Sequence, residues 1–155
     1  MKYSEKFKAS INKLKFEGRY RHFNEIERHA GLHPIASWKV NYKKSDIVVW
    51  CSNDYLGMSQ NDLIINSMIN AVKNMGTSSG GTRNISGNSS EIVNLEKELA
   101  LLHGKEKALV FSSGYVANES SISTLLNILD DVVVFSDEKN HASIIHGIKK
   151  SNAKK

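Results

Sequence analysis

The run Ala108-Leu109-Val110-Phe111-Ser112-Ser113-Gly114-Tyr115 decides the fold class. Four apolar residues of strand character break at a hydroxyl- and glycine-rich turn, and a helical pattern follows through Val116, Ser120 and Leu125. The same unit recurs downstream. Asp131 precedes Val132-Val133-Val134-Phe135, a β run without alternation that is expected to be buried on both faces. Ser136-Asp137 follows, and a last helix starts at His141-Ala142-Ser143-Ile144-Ile145. Strands alternating with helices imply parallel βαβ units and an α/β fold.

Toward the N-terminus, Ile92, Leu95, Leu99 and Leu102 form an apolar helical stripe stopped at Gly104 and read as core packing. Before it lies the least ordinary segment, Gly76-Thr77-Ser78-Ser79-Gly80-Gly81-Thr82-Arg83-Asn84-Ile85-Ser86-Gly87, too short and mixed for a flexible linker. Leu63, Ile64, Met68, Ile69 and Val72 mark another helix, and Ile47-Val48-Val49-Trp50 a short strand that runs into the turn-rich Ser52–Gly57. Tyr3, Phe7, Ile11 and Leu14 predict an amphipathic helix ending near Gly18. Residues 1–45 thus divide as a helix and an extended segment from residues 46–155. The succession stops after a helix with only two core strands made, which would leave sheet faces and edges uncovered. The chain reads as interrupted, and poor solubility and marginal stability are expected.

Bulk properties narrow the class. The chain has 155 residues, of which 40% are hydrophobic and 24% charged, ordinary for a globular protein. No apolar run reaches the roughly 20 residues that cross a bilayer, and no secretory or transit signal opens the chain, so cytoplasmic residence is expected. Cys51, the one cysteine, follows an apolar run and is expected to be a buried, inert thiol. The histidines show no metal-ligand spacing; His141 and His146, five apart, fall off a shared helical face, and no metal site is expected. The net charge of +5 is spread mainly over lysines, without a basic aromatic-interleaved helix or any nucleic-acid module. No nucleic-acid or membrane partner is expected; the charge reads as a solvated lysine surface, with an anionic cofactor or substrate as the alternative.

Ligands in open parallel sheets bind beyond the carboxyl ends of the strands. Two segments hold such positions. At Ser112–Tyr115 a glycine lets the backbone approach a ligand, and the helix N-terminus offers N–H groups to a phosphate; it could equally be an ordinary strand-to-helix turn. At Ser136, Asp137, Asn140 and His141, the histidine could stack on or exchange protons with a bound ring. Alternatively Asp137 or Asn140 caps the last helix and His141 is a surface residue. Arg83 and Arg21 stand among small residues, a setting for bidentate recognition of carboxylate or phosphate, or simply for solvated guanidinium groups.

Together these segments resemble the α-oxoamine synthases, pyridoxal-phosphate enzymes that condense an amino acid with an acyl-CoA and release CO2. Asn53-Asp54-Tyr55-Leu56-Gly57, the glycine loop, Ser113-Gly114-Tyr115-Val116-Ala117-Asn118 and Asn140-His141-Ala142-Ser143 match that family in order and spacing. Glu17-Gly18-Arg19-Tyr20-Arg21, Gly81–Gly87 and His103-Gly104-Lys105-Glu106 are similar to its 5-aminolevulinate synthase branch. The resemblance implies a fold-type-I (aspartate aminotransferase-like) architecture with residues 46–155 as the first part of the large cofactor-binding domain, a homodimer, and glycine and succinyl-CoA as substrates. It implies that Gly114 and Tyr115 donate to the cofactor phosphate and that His141 stacks on the pyridine ring. It also implies that Arg21 and Thr82 hold the succinyl carboxylate near Asn84 and Ile85, that Asn53 meets the glycine carboxylate, and that Ser136 and Lys155 contact succinyl-CoA. Ser78 stands where the family usually has glycine, and Gly114 where this branch often has alanine. No lysine present lies in the family's Schiff-base motif, so the resemblance implies no catalytic residue here and no activity of the chain alone. Two other readings remain: a sister condensing synthase of the 8-amino-7-oxononanoate type, disfavoured by Thr82–Ile85, and a non-catalytic remnant or half that pairs with a complementary C-terminal chain.

Overall fold

The computed structural model describes residues 3–154, and the chain divides into two compact units, Met1–Thr77 and Ser78–Lys155. The first unit opens with helix α1 (Tyr3–Phe16), which has Glu5 in its first turn and Lys13 and Lys15 in its last, each favourable to the helix dipole. Gly18, at φ 65°, ends it: the Gly18 N–H reaches the Lys15 carbonyl and the Arg19 N–H the Leu14 carbonyl, the double closure that glycine permits.

Three antiparallel strands follow, β1 (Glu25–Arg28), β2 (Ile35–Val40) and β3 (Lys43–Val48), in the order β1-β2-β3. Glu25 faces Lys39 across β1 and β2, and their side chains pair at 3.2 Å. The β2–β3 hairpin turns on Asn41 and Tyr42, both at positive φ, as a two-residue turn matched to strand twist requires. Ser37 is buried within the sheet. Its Oγ donates to Asp46 at 3.3 Å and lies 3.1 Å from His29 Nε2. The hydroxyl stands between imidazole and carboxylate, so Asp46 does not orient the histidine, and the trio is a cross-strand staple rather than a nucleophilic triad. Helix α2 (Asp62–Met75) closes the unit, its N-terminus capped by Asn61, which accepts from the Leu63 N–H.

In the second unit the glycine loop is ordered as a single wide turn over Arg83–Gly87, with the Ile85, Ser86 and Gly87 N–H groups converging on the Thr82 carbonyl. A Cβ on Gly87 would lie 1.9 Å from the Gly81 carbonyl oxygen, so only glycine fits there. Helix α3 (Ser90–Leu102) is capped by Ser89, α4 (Gly114–Ile128) by Ser113 and α5 (Ala142–Lys149) by His141.

Several expectations are corrected. The predicted strands at 108–111 and 132–135 are not strands among the described residues, and no parallel sheet is assembled. An extended run becomes a strand only when a neighbour supplies its ladder. Val132–Val134 finds one parallel rung, with Lys154: the Val134 N–H donates to the Lys154 carbonyl and the Lys154 N–H to the Val132 carbonyl. Val110 N–H goes instead to the Glu96 carboxylate at 2.7 Å. Val133 and Phe135, expected in the interior, are exposed. The sheet that does form lies partly in residues 25–46, where exposed, charge-rich strands carry no alternation to read; β3 stops at Val48, and Trp50 is 90% exposed. Cys51 is exposed rather than buried, because the apolar run before it is not covered. The leucine stripe of α3 is also not a core, with Leu102 76% exposed.

Among the described residues, the buried apolar side chains are Ala36, Ala100 and Ile148. The accessible area of 13572 Å² exceeds even the roughly 9,400 Å² that two separate folded units of half this mass would expose. Of those three side chains, Ile148 lies on α5.

Candidate functional site

The N-terminus of α4 is built by Ser113. Its extended backbone lets Oγ accept from the Val116 N–H at 3.2 Å while its carbonyl accepts from the Ala117 N–H at 3.0 Å. The Gly114 and Tyr115 N–H groups are left without a partner among the described residues. Two open donors at the positive end of a 15-residue helix suit an anion. No heavy atom stands within 4 Å of the place a Gly114 Cβ would take, so packing does not require glycine there.

Tyr115 projects toward α5 and lies edge-on between two imidazoles. Its ring centroid is 6.0 Å from that of His141 and 5.9 Å from that of His146, with interplanar angles of 70° in both cases. The Tyr115 hydroxyl is hydrogen-bonded to His146 Nδ1. His141 itself caps α5: its Nδ1 accepts from the Ser143 N–H at 3.2 Å and lies 2.7 Å from Ser143 Oγ. Ser143 Oγ in turn accepts from Asn118 Nδ2 of α4 at 3.1 Å. Below these contacts Gly147 lets the helices close, since a Cβ there would meet Ile122 Cβ at 2.9 Å and the Asn118 and Glu119 carbonyl oxygens at 3.2 Å.

Thus Gly114, Tyr115 and His141 are brought onto one helix pair. The capping alternative fails for Asp137 and Asn140. Asp137 accepts from the Lys139 N–H within its own turn and Asn140 donates to Ser136 Oγ, while the histidine performs the capping. His141 is nonetheless exposed, as that alternative also held. Ser136 stands in the turn before α5, held by Asn140 at 2.9 Å. Thr82, Asn84 and Ile85 lie exposed on the glycine loop, and among the described residues no hydrogen bond, ion pair or ring contact joins them to Tyr115 or His141. Arg21 and Asn53 belong to the first unit and are exposed; Asn53 lines a surface depression with Arg28, Cys51, Ser52 and Asp54. Lys155 lies outside the described residues.

Arg83 is half-buried, and its guanidinium is engaged within the chain. Its guanidinium forks onto Glu96 at 2.5 and 2.9 Å and onto Asn88 at 3.0 and 2.7 Å, tying the glycine loop to α3. The Arg83 hydrogen bonds and the Val110 N–H hold the Glu96 carboxyl down to about 2. In the first unit, the Ser59 hydroxyl and N–H hold Asp54 below the usual carboxylate range. Sequence reasoning missed Asn118, Ser143, His146 and Glu96. The first two lay inside motifs already quoted. His146 was set aside because five residues separate it from His141, yet a cap residue and an in-helix residue both reach one tyrosine.

A sequence profile of the family "Aminotransferase class I and II" matches residues 45–155. The chain belongs to that family. Its members are pyridoxal-phosphate dependent, and two open N–H groups at the start of α4, with the Tyr115 ring set against His141, fit an anionic, ring-bearing group. Among curated proteins, the chain is 52% identical over 153 residues to "5-aminolevulinate synthase" of Rickettsia prowazekii, a match covering 99% of this chain. It is 46% identical over 155 residues to "5-aminolevulinate synthase" of Bradyrhizobium diazoefficiens, covering 100% of this chain. It is 48% identical over 156 residues to "5-aminolevulinate synthase 1" of Cereibacter sphaeroides, again covering 100%. The chain spans 36–38% of the length of these three relatives. No helix among the described residues is long and apolar enough to cross a membrane.

Proposed function

We propose that these residues form part of a 5-aminolevulinate synthase, which condenses glycine with succinyl-CoA to give 5-aminolevulinate, CoA and CO2 in a cytoplasmic homodimer. The observation that carries this reading is that α4, whose first N–H groups at Gly114 and Tyr115 are open, sets the Tyr115 ring edge-on to His141 at the start of α5. That arrangement occurs in a chain about half identical to synthases of that name.

Residues 46–155 contribute the first part of the cofactor domain. The Gly114 and Tyr115 N–H groups donate to the phosphate of pyridoxal phosphate, and His141 packs on its ring. When bound, the cofactor draws electron density away from the α-carbon of the amino acid joined to it. Arg21 and Thr82 hold the succinyl carboxylate with Asn84 and Ile85 beside them, Asn53 holds the glycine carboxylate, and Ser136 and Lys155 meet the CoA thioester. Arg83 is left out of the ligand set, because its guanidinium is already engaged by Glu96 and Asn88. Because no lysine here lies in the family's Schiff-base motif, turnover is assigned to a chain of the relatives' length, or to these residues joined by a complementary polypeptide.

The test is turnover by a chain of that length carrying these 155 residues. Glycine with succinyl-CoA yields 5-aminolevulinate; the 155 residues alone yield none. Product only from another amino acid and another acyl-CoA would transfer the assignment to a sister condensing synthase.

A further inference from the structure

We propose that Asn118 and Ser143 are positioning residues that lock His141 in one tautomer, with the proton on Nε2 and the ring fixed against α4. The inference rests on the reading of His141 as the residue that packs on the cofactor ring.

The direction of the bonds follows from what cannot be reversed. The Ser143 backbone N–H can only donate, and it points at His141 Nδ1 from 3.2 Å. Nδ1 therefore carries the lone pair, and the ring proton sits on Nε2. Ser143 Oγ receives a hydrogen from Asn118 Nδ2 at 3.1 Å, which leaves its own hydrogen for Nδ1 at 2.7 Å. Ser143 is 0% exposed, so no solvent competes for that hydroxyl. Asn118 lies one turn beyond Tyr115 on α4, on the face that meets α5. The length of the relay is set by the helix spacing, which Gly147 holds tight against Ile122, Asn118 and Glu119. His141 is thereby presented to a ligand as a neutral ring with an Nε2–H donor. Nδ1, engaged twice, is not free to take a proton from a substrate.

Histidine labelled with 15N, in the full-length protein without cofactor under mildly alkaline conditions, reports the tautomer directly. His141 should show a single Nε2–H signature. Ser143→Ala keeps the backbone N–H on Nδ1, so the Nε2–H signature should persist, while loss of the hydroxyl contact should weaken retention of pyridoxal phosphate by about three- to tenfold, the worth of one hydrogen bond. Asn118→Asp keeps the shape but accepts where asparagine donates. The Ser143 hydroxyl should then donate to the introduced carboxylate and turn a lone pair toward Nδ1 in competition with the backbone N–H, so that the His141 signature becomes a mixture although the fold is intact. A wild-type His141 carrying its proton on Nδ1 would overturn the relay. So would an unchanged signature, with unchanged cofactor retention, in both variants. The relay intact in a full-length protein that retains no pyridoxal phosphate would support the positioning of His141 and overturn the cofactor assignment instead.

Discussion

The three-stranded sheet of the first unit and the α4–α5 pair of the second are held together by different physics. In β1–β3 the backbone ladder does most of the work, helped by exposed ion pairs such as Lys39–Glu25, and one apolar side chain, Ala36, is buried. Such a platform tolerates many side chains because the bonds that define it are common to all residues. In α4–α5 each helix satisfies its own backbone, so the contact depends on side-chain fit: Gly147 against Ile122, Asn118 onto Ser143, Tyr115 between two histidines. Identity matters there, and that is where the candidate cofactor residues gather.

Substitutions at Gly147 and Tyr42 sharpen this contrast most. Gly147→Ala should destabilise the helix pair by about 1–2 kcal/mol, overpacking at 2.9 Å outweighing the gain in helix propensity. Denaturant unfolding measures it, and a stabilised variant would mean that the pair is looser than its contacts. Tyr42, at φ 66° in the hairpin turn, should respond the opposite way: Tyr42→Gly relieves a left-handed side chain and gains about 1 kcal/mol. A loss there would show that the sheet, too, depends on side-chain identity. Gly114→Ala, with open space around its Cβ, should gain about 0.5 kcal/mol, so that two glycines of one helix pair shift the unfolding midpoint in opposite directions.

The smallest effect is local and depends on pH. Glu96 falls from 4.5 to about 2 on folding, so its contribution is complete above about 4.5 and lost as pH drops toward 2. Hydrogen-exchange protection at the Val110 N–H should fade across that window, and Glu96→Gln should flatten the dependence. Protection that persists unchanged at low pH would remove Glu96 as the anchor of the 108–111 run.

Helices were the most legible part, since 3.6-residue periodicity and capping residues are local: α1 to α5 all lie where apolar spacing places them. Strands were the least. The charge-rich β1 gives no periodic signal, and it exists because β2 lies beside it; the valine run at 132–134 gives a strong signal but finds one rung, at Lys154. For the site, Gly114, Tyr115 and His141 were readable because a strand-to-helix turn and a helix start are also local events. Arg83 was read as a candidate ligand-binding or solvated residue, and its real use lies 13 residues away in Glu96, a distance no local pattern reports.

The sequence by itself determined the helices and their caps, the glycines that turns demand, and, through its shared motifs, the family. Only the tertiary structure decided which extended runs pair, that Arg83 is tied to Glu96, and that Asn118, Ser143 and His146 stand around His141 and Tyr115. The reason is physical: propensity and capping act within one helical turn, whereas ladder partners, ion pairs and proton direction are settled when segments distant along the chain come within a bond's length.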